Sequence, residues 1–332
     1  MTTKSASATT SVNPLLGIIA VFFSALLFSA KAVMIKLAFR YPVDPVSLLC
    51  LRMVFSLPFF LGIALYINRK TWLPKLPLLG RELGGVAEKT ALTEDIGSKI
   101  HSRLTFADYG KLAGLGVLGY YAASILDFWG LQYVSAGLER LILFVYPTLV
   151  VVISWSVFKK PIGRTEVFAL VLTYAGMLVV FSGQSFLRQT NIWMGAFLIF
   201  GSALTYAIYL VGSGRMIPRF GAVRFNAYAM IVSSFAVILH YLISYPESLW
   251  HFPAQVYYYG MALAIFSTVI PTFLVTAGIK IIGAGRAAIV ASIGPVSTIV
   301  LGYFFLNETV ELREGIGTVL VLAGVLLVST KK

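Results

Sequence analysis

Long apolar stretches alternate with short polar connections along most of this chain. Ten mainly apolar runs stand out, at 14–38, 45–67, 111–132, 136–158, 165–183, 193–213, 224–245, 256–279, 284–306 and 314–330. Each reaches or approaches the roughly 20 residues that a helix needs to cross the hydrocarbon core of a bilayer. Inside lipid the backbone has no water to bond, so such runs are expected as helices. Short connections predict antiparallel neighbours. The exception is 68–110, where basic, acidic and helix-breaking residues predict a cytosolic loop. Two readings of that loop stand open, an amphipathic appendage and a disordered segment. Residues 1–13, rich in Ser and Thr, read as a cytosolic tail, and the run after them is too long for a cleavable signal peptide.

Composition supports the membrane reading. Apolar residues make up 58% of the chain and charged residues 12%, against about 25% charged in soluble proteins. A net charge of +13 raises the question of nucleic acid, but the basic residues lie between apolar runs and form no soluble patch, so no nucleic-acid partner is expected. With the N-terminus inside, nineteen Lys and Arg fall on the cytosolic side and three, Arg40, Arg188 and Arg313, on the other. The positive-inside rule then places both termini in the cytosol, and the bacterial inner membrane is the expected location. Cys50 is the only cysteine, which excludes intramolecular disulfides and Cys-rich metal sites. The three His form no metal-like pair, and the membrane runs hold no Asp/Asp or Ser/His arrangement. No metal, no cofactor and no enzymatic activity are expected.

The second half of the chain repeats the first. Shifted by 148 positions, residues 136–180 fall on 284–328 without a gap: Ala136-Gly137 on Ala284-Gly285, Pro147 on Pro295, Glu166 on Glu314, Ala175-Gly176 on Ala323-Gly324. Gly130 falls on Gly278. The leading helix recurs at a shift of 178, with Gly17 on Gly195 and Ser24-Ala25-Leu26 on Ser202-Ala203-Leu204. Five crossings per half is an odd number, so the second copy is inverted. The expected fold is an all-α membrane protein of ten transmembrane helices in two inverted five-helix repeats, 14–183 and 193–330. Such repeats are common in alternating-access carriers; a duplicated scaffold without transport is the other reading.

Phe305-Leu306-Asn307-Glu308-Thr309 followed by Gly317 and Ala323-Gly324-Val325, together with Leu131-Gln132-Tyr133-Val134-Ser135-Ala136 leading into Tyr146-Pro147, resembles the EamA family of the drug/metabolite transporter superfamily. The resemblance covers nearly the whole chain outside the tail and the 68–110 loop. It implies a secondary carrier, commonly an exporter of amino acids or related metabolites, with a central cavity lined mainly by the first, third, fourth, sixth, eighth and ninth helices. Glu308 matches the family's acidic residue after the ninth helix, yet its repeat mate is Lys160.

Charged residues within a bilayer are functional candidates by default. Here they are Lys31, Lys36, Arg52, Asp127, Glu139 and Arg140, all in the outer part of the first half. Ser24, Phe28 and Lys31 share one helix face, as do Tyr120, Ser124 and Asp127. Their mates Ser202, Tyr206 and Tyr209, and Thr268, Thr272 and Val275, lack charge. Expected substrate contacts are Lys31, Arg52, Tyr120, Ser124, Tyr146, Tyr206, Tyr209 and Thr272. Lys31 and Arg52 would attract an anionic group, and Asp127 and Glu139 would couple transport to protons. Pro147 and Pro295 are expected to loosen their helices for gating. Plainer readings stand beside these: Arg52 and Asp127 as a structural ion pair, Lys36 as a snorkelling side chain, Glu139 and Arg140 as solvated near a loop, the tyrosines as packing. The expected partners are a small-molecule substrate, membrane lipid and protons, in a monomer or homodimer. Export of small metabolites such as amino acids leads; a uniporter or exchanger for anionic or phosphorylated metabolites is the alternative.

Overall fold

The computed structural model describes residues 14–72, 104–159, 163–181, 191–245, 249–282, 287, 290–291, 293–308 and 311–329. Among them the regular structure is helical. In chain order the helices are α1 (Pro14–Ala38), α2 (Pro45–Trp72), α3 (Phe106–Gly130), α4 (Ala136–Leu143), α5 (Tyr146–Phe158), α6 (Arg164–Phe181), α7 (Ile192–Phe220) and α8 (Ala222–Ser244). Next come α9 (Ala254–Ala264 continuing to Ile270–Ile282), α10 (Gly294–Leu306) and α11 (Leu312–Ser329). Among the described residues, seven segments are long and apolar enough to cross a membrane: α1, Pro45–Asn68 of α2, α3, Ala136–Val157 across α4 and α5, α7, α8 and Ala254–Ile279 of α9.

Local chemistry sets several helix ends and moves some away from the expected edges. Helix α2 starts at Pro45, whose missing N–H costs nothing in a first turn, and Asp44 Oδ1 accepts from the N–H groups of Val46 and Ser47 at 2.9 and 3.0 Å. Helix α3 begins at Phe106 instead of 111, because Thr105 and Asp108 form a reciprocal capping box. Asp108 is also paired with Arg219, so a polar stretch that reads as loop is the first turn of a helix. Together with the extension of α2 to Trp72, this shortens the expected 68–110 loop at both ends; 73–103 lie outside the described residues. Pro147 and Pro295 sit in the first turns of α5 and α10. The expected kink within a continuous helix is instead a break in the first case, at Phe144 and Val145 between α4 and α5.

Helices α3 and α9 each contain a π turn, at Val117–Ala122 and Ile265–Val269. Their starts are 148 positions apart, the same offset that aligns the two halves of the sequence.

Helix α1 packs against α9 and α10, and α7 packs against α3 and α5. Helix α2 lies on α8 and α9, α8 on α2 and α3, and α6 on α11. Glycines lie at close crossings. A Cβ on Gly278 would stand 2.9 Å from the carbonyl oxygen of Gly17, and one on Gly130 would stand 3.1 Å from that of Gly195. The largest buried apolar cluster draws on α1, α2, α3, α8 and α9, with Ile35, Leu48, Leu49, Met53 and Phe128 fully enclosed.

Candidate functional site

A cavity of about 520 Å³ lies among α1, α2, α3, α4, α5, α7, α8 and α9. On α1 it runs from Lys31 to Val21, towards the end of the bundle that holds Pro14. Its walls are mostly apolar, with polar groups contributed by several helices, the usual make-up of a small-molecule site.

Lys31 holds the centre of the charge. Its Nζ lies 2.6 Å from Asp127 Oδ2 and 3.2 Å from Glu139 Oε1. Both carboxylates are buried, and Asp127 Oδ1 and Glu139 Oε2 have no hydrogen-bond partner among the described residues. One ammonium from α1 therefore ties together α3 and α4, and two carboxylate oxygens beside it keep unused acceptor capacity. The expected Arg52–Asp127 pair does not form. Arg52 Nε instead donates to Thr268 Oγ1 at 2.8 Å, and its guanidinium lies 5.8 Å from the Phe128 ring centre.

The π turns aim two of the polar groups. Tyr120 stands fourth in the first, and its hydroxyl donates to Asn226 Oδ1 on α8. Thr268 stands fourth in the second and accepts from Arg52 on α2, while its own hydroxyl donates to Leu263 O, five residues back. A π turn exposes an extra acceptor in this way, and such turns occur often at functional positions. Thr272 and Thr276 continue the α9 stripe, each donating to the carbonyl four residues earlier.

Most of the expected substrate contacts meet here: Lys31, Arg52, Tyr120, Ser124, Tyr146, Tyr206 and Thr272 line the cavity, as does Asp127. Tyr209 stands behind the wall, 5% exposed, stacked on Tyr206 with centroids 5.8 Å apart and donating to the Tyr120 hydroxyl at 3.2 Å. Glu139 also lies behind the lining, reached through Lys31. Pro147 and Pro295 are off the cavity. Asn226 escaped the sequence reading; its signal was its place as the sole Asn in the apolar run of α8. Among the described residues no three His, Cys, Asp or Glu gather as metal ligands.

Beyond the Lys31 layer, side-chain contacts cross the end of the bundle where α1 and α10 finish. Lys36 Nζ donates to Val134 O at 2.6 Å, so the expected snorkelling gives way to an internal bond. Glu308 Oε1 accepts from Ala136 N–H at 2.9 Å, and Arg40 reaches Phe305 O at 3.4 Å. At the opposite end Arg219 pairs with Asp108, joining α7 to α3.

Residues 91–182 and 193–330 match the model of the EamA-like transporter family. The uncharacterized transporter YcbK of Bacillus subtilis (strain 168) is 30% identical over 306 residues, covering 91% of this chain and 88% of that protein. A second transporter of the same organism, YyaM, is 27% identical over 218 residues, 65% of this chain and 71% of its own. One solved crystal structure shares the fold with a TM-score of 0.59 at 16% identity, over 94% of this chain and 95% of the other.

Proposed function

This chain belongs to the EamA-like transporter family and is an integral membrane protein, and we propose that it is a secondary-active exporter of small metabolites such as amino acids. The observation that carries this reading is a mostly apolar cavity of about 520 Å³ among apolar helices, set with charged and hydroxyl side chains and crossed at one end by the Lys36 and Glu308 contacts. In the proposed architecture, ten crossings form two inverted five-helix halves, with α4 and α5 making one crossing. The paired glycine contacts, the paired π turns and the reciprocal packing of α1 and α7 support it. With both termini in the cytosol of a bacterial cell, the Lys36 and Glu308 contacts lie at the outer face and the cavity extends towards the inner one.

Rocking of the halves would break the Lys36, Glu308 and Arg40 contacts and expose the cavity on the other side. Asp127 and Glu139 are the proposed proton carriers. A proton on either carboxylate weakens its hold on Lys31 and loosens the tie between α1 and the α3–α4 pair. Substrate would meet Arg52, Tyr120, Ser124, Tyr146, Tyr206 and Thr272 directly. Counterflow of radiolabelled amino acids in proteoliposomes, with and without an imposed pH gradient, tests the proposal. Flux that ignores the gradient removes the coupling, and absence of flux for every solute offered removes the transporter.

A further inference from the structure

The charged groups at the cavity are unequally matched. Lys31 holds both carboxylates, and Arg52 has Thr268. Arg140 lines the same cavity, yet its guanidinium makes neither a hydrogen bond nor an ion pair with a described residue. Its Nε is buried without a partner, and the guanidinium lies against the face of Phe144, 5.4 Å from the ring centre. Glu139 precedes it in sequence and acts on it through space, but its carboxylate makes its close ion pair with Lys31 and none with Arg140. A guanidinium carries five donors; Arg140 is half-buried, and of its donors Nε is enclosed without a partner, which is costly. The cavity region thus contains three cations against two carboxylates, and the unspent donors face the open space.

Gly294 makes room for this arrangement. A Cβ there would lie 2.8 Å from Arg140 Nη2 and 3.4 Å from Nε. At the 148-residue offset the first half has Tyr146 where the second has Gly294, and the second has Ala288 where the first has Arg140. The guanidinium therefore crosses from α4 to the first turn of α10 through a gap left by a missing side chain. From Phe144 a series of rings continues away from it. Phe144 and Tyr146 have centroids 6.3 Å apart, and Tyr146 and Tyr206 5.3 Å.

We infer that Arg140 is the docking residue for an oxyanion on the transported solute, a carboxylate, sulfonate or phosphate whose apolar or planar body lies along the tyrosine wall. The forked guanidinium fits two oxygens of such a group at once. The inference rests on the transporter reading and narrows its substrates to organic anions, zwitterions included.

The test uses the full chain in nanodiscs at constant ionic strength, titrated with benzoate, phenylacetate and phenyl phosphate beside benzamide, phenylacetamide and benzyl alcohol. Binding is read as a rise in apparent Tm and by calorimetry. At least one anion is expected to bind more tightly than its neutral counterpart. Arg140→Gln should weaken that anion about tenfold or more while sparing the neutral compound, and Arg140→Lys should fall between, since a point charge replaces the fork. Gly294→Ala keeps every charge but crowds the guanidinium, and it should lose part of the preference; it decides the matter where Arg140→Gln does not fold. No anion preference in the wild type, or an unchanged preference in the folded variants, overturns the inference. Counterflow by the same wild-type protein separates the two levels: flux of solutes without anion preference removes the docking role alone, whereas no flux at all removes the transporter reading.

Discussion

The carboxylate of Glu308 accepts the backbone N–H of Ala136 at 2.9 Å, so a residue from the turn after α10 caps the first turn of α4. Ser135 supplies the other cap, accepting from Leu138 N–H at 3.2 Å. One helix end thus takes its two acceptors from distant parts of the chain, and separating those parts frees a donor. In the proposed cycle that separation is the opening of the outer face.

Glu308→Gln should weaken this clasp by about 1 kcal/mol, the range of a lost charge-assisted cap. The population should shift towards the outward-open form. In a Ser124→Cys background, labelling from the outside by a membrane-impermeant maleimide should speed up when Glu308 is replaced. An unchanged rate would show that the contact does not hold the gate.

Lys31 and its two carboxylates should behave as one unit. Lys31→Met removes the one ammonium in contact with both Asp127 and Glu139, and breaking a buried pair this way costs about 3–5 kcal/mol. Adding Asp127→Asn removes one of the two charges and should restore much of the loss, giving a strongly non-additive double-mutant cycle. Unfolding in mixed micelles checks this. In the same series, Asp127→Asn with Glu139→Gln should transport down a solute gradient but no longer respond to a pH gradient.

Thr268→Val should strand Arg52 Nε, the donor that Thr268 Oγ1 receives at 2.8 Å. An unsatisfied buried donor of this kind costs about 1–3 kcal/mol. Thr268→Ser keeps the hydroxyl and should remain near wild type in thermal stability and in substrate affinity. Equal losses in both variants would point to the methyl group, not the hydrogen bond.

At the glycine crossings, Gly195→Ala and Gly278→Ala should each destabilise the protein by about 1–3 kcal/mol through overpacking. The first obstacles are Tyr133 Cβ and Val134 Cγ1, each at 2.7 Å, for Gly195 and Val21 Cγ2 at 2.3 Å for Gly278, with backbone oxygens of Gly130 and Gly17 behind them at 3.1 and 2.9 Å. Gly62 has nothing within 4 Å of an added Cβ, so Gly62→Ala should stabilise by about 0.5–1 kcal/mol through helix propensity. Thermal unfolding of the three variants gives the comparison.

Much of this was legible in the residues alone, for physical reasons. Apolar runs report lipid exposure, and helix periodicity groups Ser24 with Lys31 and Tyr120 with Asp127, so the stripes that line the cavity could be drawn before any coordinates. Gly17 and Gly195 were visible as repeat mates, though not as partners of Gly278 and Gly130. What stayed hidden depends on distances between helices. Whether Asp127 meets Arg52 or Lys31 is decided by which of α1 and α2 brings its cation nearer. Arg140 sits beside Glu139 in sequence and was read with it, while in space the two face different neighbours. Asp108 looked like loop because its partner, Arg219, lies on α7.

The two π turns bear on the history of the chain. A π turn holds one residue more than the α turn it interrupts, and here the surplus falls at Val117–Ala122 and again at Ile265–Val269, at one register. Two independent insertions at matching places are a less economical account than one insertion in a single ancestral half, copied when that half was doubled. On that account the extra residue is older than the cavity itself, which needs both copies. Tyr120 and Thr268 would then be two later specialisations of one inherited position.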